Sequence, residues 1–263
     1  MLSVVTVLKY GQLHLEIGAA ATEKLQKVTL TARALHKGVL GDFYERHWEW
    51  TGKAMILPMN TGAEAVETAL KTARRWGVEV KGVANEQQEI IVCANNFHGR
   101  TIAIISFSTD PSARINYGPY TPGFKIIPYG DAAALEQAVT DRTVGFLVEP
   151  IQGEAGIIVP PEGYLRQVRE ICTRNNILMI ADEVQTGFAR TGRMFACQYE
   201  QISPDILVMG KALGGGIMPV SAIAADAEVL GVYTPGTHGS TFGGNPLACA
   251  VAIKALEILV RDD

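Results

Sequence analysis

Lys211 and Asp182 each follow an apolar run that reads as a buried strand. In "PDILVMGKALGGG" the run Ile206 to Met209 is broken by Gly210, and Lys211 then leads into three consecutive glycines, Gly214 to Gly216. A lysine in that setting is either a surface side chain on a loop, the commoner fate of its type, or an amine in a partly desolvated pocket. In the second case its ammonium pKa falls and the amine becomes a nucleophile able to condense with an aldehyde. The glycines would let the backbone approach a bound ligand closely.

Asp182, in "ILMIADE", either caps the next turn or is an ionised carboxylate on an apolar floor, which needs a cationic partner. A protonated pyridine nitrogen is one candidate. A lysine for the aldehyde and an aspartate for the ring nitrogen are what pyridoxal 5'-phosphate requires. A third element is "NTGAEAVETALKTAR" from Asn60. Thr61 and Glu64 have capping-box spacing, so a helix is predicted to begin at Gly62. It is either a well-capped helix and nothing more, or a phosphate cradle built from the free N–H groups of Gly62 and Ala63. With no Walker A motif and no dinucleotide fingerprint after a strand, a nucleotide is the poorer reading.

The elements that must position these residues are legible as alternation. Strands are predicted at Glu89–Ala94, Phe124–Tyr129, Thr143–Pro150, Ile177–Glu183, Asp205–Gly210 and Pro219–Ala225. Helices are predicted at Gly62–Trp76, Asp131–Val139, Glu162–Asn175 and Pro246–Val260. The first helix gathers Val66, Ala69, Leu70, Ala73 and Trp76 on one face, with a Glu67/Lys71 pair on the other. Apolar strands separated by helices argue an α/β fold, a mostly parallel sheet with helices on both faces. Ligands gather at the carboxyl ends of such strands. Glu149, Asp182 and Lys211 all stand at predicted strand ends.

Composition narrows the partners. The 263 residues are 48% hydrophobic and 19% charged, as in ordinary globular proteins, with a formal charge of −4. Scattered basic residues argue against a nucleic-acid groove or an anionic membrane. The four cysteines, Cys93, Cys172, Cys197 and Cys249, are far apart and read as buried reduced thiols, so no metal site is expected and a cytoplasmic setting fits. "MLSVVTVLKY" lacks the basic start of a secretory signal. The apolar stretch Pro246 to Val260 carries Lys254 and Glu257, so an amphipathic helix is expected and not a membrane span. His14, His36 and His47 lack ligand spacing and are expected to be structural. His98 and His238 are read as loop residues, neither needed as a base.

Six motifs then carry a family resemblance: "NTGAEAVETALK", "NFHGRT", "VEPIQGEAG", "IADEVQTGFARTG", "GKALGGG" and "HGSTFGGNPLACAVA". In this order they resemble the class III pyridoxal-phosphate aminotransferases, from about Leu57 to Val260. "LPMNTGAEA", "ARRWGVEVKGV", "GPYTPGFKIIPYGD" and "GEAGIIVPPEGYL" are most similar to the ornithine aminotransferase subfamily. The resemblance implies the fold type I large domain and pyridoxal phosphate as cofactor. Lys211 would be the Schiff-base lysine and proton shuttle. Asp182 would pair with the pyridine nitrogen, Gln185 with the ring hydroxyl, and Phe97 would stack on the ring. Gly62 and Ala63 would hold the phosphate, and Ser240 and Thr241 of the "HGST" loop would serve the cofactor site, Thr241 reaching the partner subunit's phosphate. Arg100 would bind a substrate carboxylate, its alternative being a structural ion pair. Glu154 would neutralise a substrate-binding arginine, and Glu149 would help position the cofactor end of the site.

The implied reaction moves the δ-amino group of ornithine to 2-oxoglutarate, so the expected partners are a small amino acid, a 2-oxo acid and a second copy in a homodimer. Another ω-amino donor, N-acetylornithine or 4-aminobutyrate, is the alternative within the class. A chain that binds cofactor without turnover is the alternative outside it. By the same resemblance, residues 1–50 are expected to be a partial N-terminal segment and 51–263 the cofactor-binding large domain, with the family's C-terminal small domain absent.

Overall fold

The computed structural model describes residues 9–28, 30–31 and 38–262; His36 lies outside them. The elements run α1 (Leu15–Lys27), α2 (Gly38–Thr51), β1 (Met55–Met59), α3 (Gly62–Glu79), β2 (Glu89–Cys93), α4 (Ile102–Ile105), α5 (Pro111–Arg114) and β3 (Phe124–Ile127). There follow α6 (Ala132–Ala138), β4 (Thr143–Val148), α7 (Tyr164–Arg174), β5 (Leu178–Asp182), β6 (Ile206–Met209), β7 (Ser221–Ala225), α8 (Ala227–Leu230) and α9 (Pro246–Arg261). Two 3-10 turns, Ala196–Glu200 and Lys211–Gly214, complete the set.

All seven strands form one sheet in the order β1-β7-β6-β5-β4-β2-β3. The neighbours from β6 to β3 pair in parallel. β7 runs antiparallel to both β6 and β1, so β1 points the same way as the parallel set. Alternate residues of each strand serve opposite faces. Ile206 and Val208 of β6 face α3, together with Ile90, Val92, Ile180 and Ile223. Leu207 and Met209 face the layer that contains Ala248, Ala252 and Leu256 of α9. Farther along, Ile91, Phe146 and Met179 pack with Leu165, Val168 and Cys172 of α7. A sheet covered on both faces explains why its strands read as unbroken apolar runs.

The mostly parallel sheet and its covering helices match the sequence reading, with ends moved by one to three residues. α3 begins at Gly62 with the full capping box between Thr61 and Glu64, and Asn245 caps α9 ahead of Pro246. β1 was not expected. It contains Pro58, which a sheet tolerates because β1 is an edge strand. α1 and α2 were not expected either: each buries only two side chains, Ile17 and Ala21 in one, Phe43 and His47 in the other, too thin a stripe to set a period.

One expectation is corrected outright. Glu67 and Lys71 do not pair. Glu67 accepts a hydrogen bond from the Thr101 hydroxyl, and Lys71 donates to His238 Nδ1 at 2.9 Å. Two charges one turn apart on α3 therefore tie down two different loops. Because β1, β2, β4, β5 and β6 run one way, their carboxyl ends bring Asn60–Gly62, Asn95–Arg100, Glu149–Glu154, Glu183–Gln185 and Lys211 to one edge.

Candidate active site

Lys211 adopts φ +44, a left-handed backbone that a side chain with a Cβ rarely takes. Such strain persists only where surrounding structure over-determines it, and it concentrates at functional sites. The side chain is half-buried and lines a cavity of about 180 Å³ with Gly62, Ala63, Phe97, Asp182 and Gln185. Burial lowers its pKa, opposed by the carboxylates of Glu154, Asp182 and Glu149. The amine is thus biased toward its nucleophilic form while acidic groups stand near it.

Asp182, buried at the end of β5, uses both oxygens. Oδ1 accepts the Val184 N–H at 3.0 Å, so it does cap the following turn. Oδ2 lies 2.6 Å from His98 Nδ1. Both residues are buried. Burial opposes a charged His98, but the hydrogen bond and charge of Asp182, with Glu149, outweigh it and the His98 pKa is raised. His98 is the loop residue expected, and its contact with Asp182 makes it part of the site as well. Its Nε2 is buried with no hydrogen-bond partner. A carboxylate has about four lone-pair sites, so Asp182 keeps capacity for a further donor.

The loop after β2 is anchored residue by residue. Asn96 Nδ2 donates to the carbonyls of Cys93 and Phe107. The Phe97 N–H donates to Glu149 Oε1 at 2.8 Å. Gly99 adopts φ +128 and packs so tightly on Ala63 that an added Cβ would lie 2.9 Å from that residue's own, so the loop meets the α3 terminus only through glycine. Arg100 forms no ion pair among the described residues; its guanidinium sits 5.9 Å from the Phe97 ring centroid. It lines a wider cleft of about 600 Å³ together with Phe97, His98, Asp110 and Glu154.

Glu149 is buried, and burial pushes its pKa up to about 7. Glu154 is exposed and accepts a hydrogen bond from Gln185 Nε2 at 3.0 Å. Gly153 makes room for that amide, since a Cβ there would fall 1.3 Å from Gln185 Oε1. Beneath this loop Glu183, fully buried, accepts the Thr186 hydroxyl and the N–H groups of Ala196 and Cys197 at 3.0 and 2.8 Å. Its pKa is raised by burial. Val184, not singled out in the sequence, lines the cavity between Asp182 and Gln185.

Ser240 and Thr241 do not line the Lys211 cavity of their own chain. They border a separate cleft beside the start of α3, where Ser240 Oγ accepts from Asn60 Nδ2 and from the Gly243 N–H, both at 3.0 Å. His238 holds this loop by stacking on Tyr233, with centroids 4.9 Å apart. All four cysteines are free and buried. Among the described residues no acidic, histidine or cysteine cluster suits a metal, and no helix is long and apolar enough to cross a membrane.

The residues present fit pyridoxal phosphate. The Asn60 and Thr61 N–H groups go to Glu64 Oε2 and the Glu64 N–H to Thr61 Oγ1. Among the described residues, the N–H groups of Gly62 and Ala63 have no acceptor, on the cavity wall and at the positive end of α3. Free N–H donors for a phosphate, an amine and a buried carboxylate thus share one small cavity.

Comparison with known proteins gives the family. The family model for class-III aminotransferases matches residues 1–263. An ornithine aminotransferase of Brevibacillus brevis is 59% identical over 262 residues, covering 100% of this chain and 66% of that protein. One from Bacillus subtilis is 58% identical over 259 residues, covering 98% and 65%. Among solved structures, an ornithine aminotransferase from Toxoplasma gondii ME49 superposes with TM-score 0.97 at 47% identity, covering 98% of this chain and 62% of that one. An acetylornithine aminotransferase from Elizabethkingia anophelis gives TM-score 0.86 at 53% identity, covering 98% and 63%. The chain spans about two thirds of the length of the first two relatives, 66% and 65%.

Proposed function

This chain belongs to the class III aminotransferases, and on that premise we propose that it moves the δ-amino group of ornithine to 2-oxoglutarate, giving glutamate 5-semialdehyde and glutamate. The observation that carries the reading is the shared cavity of Lys211, Asp182, Gln185 and the α3 terminus. High identity to proteins named ornithine aminotransferase supports ornithine as the donor.

Pyridoxal phosphate, when bound, supplies an aldehyde that condenses with amines and a ring that accepts the electron pair left on the reacting carbon. The chain's own residues supply the rest. Gly62 and Ala63 bind the phosphate through backbone N–H groups. Phe97 covers a ring face and Val184 lines the same cavity. Asp182, braced by His98, would pair with the ring nitrogen, and Gln185 would donate to the ring hydroxyl. Lys211 Nζ would hold the cofactor's aldehyde carbon at rest, and as a neutral amine it would take up and return a proton at the donor carbon. Arg100 binds a substrate carboxylate by its planar fork. Glu154, released from Gln185, offers a carboxylate to a cationic partner.

The proposal extends to assembly and setting: a homodimer in which Thr241 serves the partner's phosphate, in the cytoplasm, with residues 51–263 as the cofactor-binding domain. The similarity to an acetylornithine aminotransferase at 53% identity favours N-acetylornithine as the second reading. Single-turnover assays with ornithine, N-acetylornithine and 4-aminobutyrate decide between donors. Preference for ornithine is expected; preference for either of the others would overturn the assignment.

A further inference from the structure

We propose that Glu149 is a positioning residue, whose carboxyl group fixes the loop that presents Phe97 and Arg100 and does not itself contact substrate. Its side chain, 6% exposed just past the end of β4, borders the Lys211 cavity. Oε1 accepts the Phe97 N–H at 2.8 Å, with a smaller contribution from the Gly153 N–H. The backbone that carries it is pinned as well, because the Tyr129 hydroxyl donates to the Glu149 and Pro150 carbonyls at 3.1 and 3.0 Å.

The need for this anchor follows from its neighbours. Asn96, His98 and Thr101 are each held through their own side chains, by backbone carbonyls, Asp182 and Glu67 respectively. Phe97 is held differently. The residue is 37% exposed, and the Arg100 guanidinium lies 5.9 Å from its ring centroid. With the ring at the surface, the position of the Phe97 backbone is set in part by the N–H, and that N–H is held by Glu149. Arg100 follows three residues later. Among the described residues Glu149 forms no salt bridge. A buried carboxyl is costly, and Glu149 offsets that cost with hydrogen bonds that hold together the loops after β2 and β4.

The roles of Phe97 and Arg100 rest on the proposed function, whereas the loop anchor does not. The test uses the 263-residue chain with Glu149→Ala and Glu149→Gln, the amide keeping an acceptor oxygen without the charge. Circular dichroism establishes that each variant folds. In cofactor-free protein, exchange of the Phe97 amide should accelerate by about tenfold to a hundredfold in Glu149→Ala and stay near wild type in Glu149→Gln. Pyridoxal phosphate titration and the donor KM should follow the same order, alanine impaired and glutamine close to wild type. An unchanged Phe97 amide in Glu149→Ala would overturn the proposal. So would a Glu149→Gln variant that keeps the amide protected yet loses donor affinity as alanine does, for then the charge itself touches the ligand. Wild-type chain that fails to bind pyridoxal phosphate would count against the cofactor assignment instead, while the exchange measurement still decides on Glu149.

Discussion

His98 Nδ1 lies 2.6 Å from Asp182 Oδ2, both side chains shielded from solvent. The histidine gives the carboxylate a fixed direction and a hydrogen-bonding partner on an apolar floor. Charge-assisted hydrogen bonds of this kind are worth about 1.5–3 kcal/mol. His98→Leu should therefore lower kcat/KM by about one to two orders of magnitude. His98→Gln, whose amide can still donate to Asp182, should recover part of the loss. Steady-state kinetics of both variants checks this.

Gly153 leaves the space that Gln185 occupies. A methyl group there would overlap Oε1 at 1.3 Å, so Gly153→Ala must push the Gln185 amide away from Glu154. Weaker pyridoxal phosphate binding, by about 1–3 kcal/mol, with little change in melting temperature is expected. Fluorescence titration beside a thermal melt measures both.

The chemistry at the strand ends was legible because each group follows an apolar run. Lys211, Asp182 and the Thr61/Glu64 box announce themselves within a few residues of local sequence. His98 did not, because its partner lies 84 residues away and nothing local distinguishes it from a loop histidine. Glu67 and Lys71 misled for the same reason: helical spacing offered a local pair, and tertiary contacts to Thr101 and His238 won. Pro58 hid β1, since a proline argues against a strand unless the edge position is known. Glu183 gave a signal, a carboxylate beside Asp182 in an apolar run, but its role as acceptor for Ala196 and Cys197 exists only in the folded chain.

His47 should make the fold acid-sensitive. It is buried, both ring nitrogens lack partners, and burial lowers its pKa to about 3. The unfolded chain takes up this proton near pH 6.5 and the folded chain does not, so stability rises with pH between these values and falls as pH drops through them. The loss from this group at pH 5 is about 2 kcal/mol. His98 has the opposite sign. Its raised pKa gives stability that is full below 6.5 and fades as pH climbs through the folded value. Urea melts of His47→Phe from pH 5 to 7 should show a flatter slope than wild type; an unchanged slope would exclude His47 as the source.

Thr241, in its own cleft away from Lys211, should matter across the proposed dimer. Thr241→Ala should leave the dimer intact by sedimentation and weaken pyridoxal phosphate binding by about 1.5–3 kcal/mol, the value of a charge-assisted hydrogen bond. Equal affinity in the variant would remove Thr241 from the phosphate site.

The central claim is that Lys211 is the amine that holds the cofactor. The direct measurement is reduction of the pyridoxal phosphate-loaded protein with borohydride, followed by peptide mapping in a mass spectrometer. Cofactor mass on the peptide containing Lys211, absent from Lys211→Ala, is the predicted result. Bound cofactor that labels another lysine, or none, would contradict the assignment.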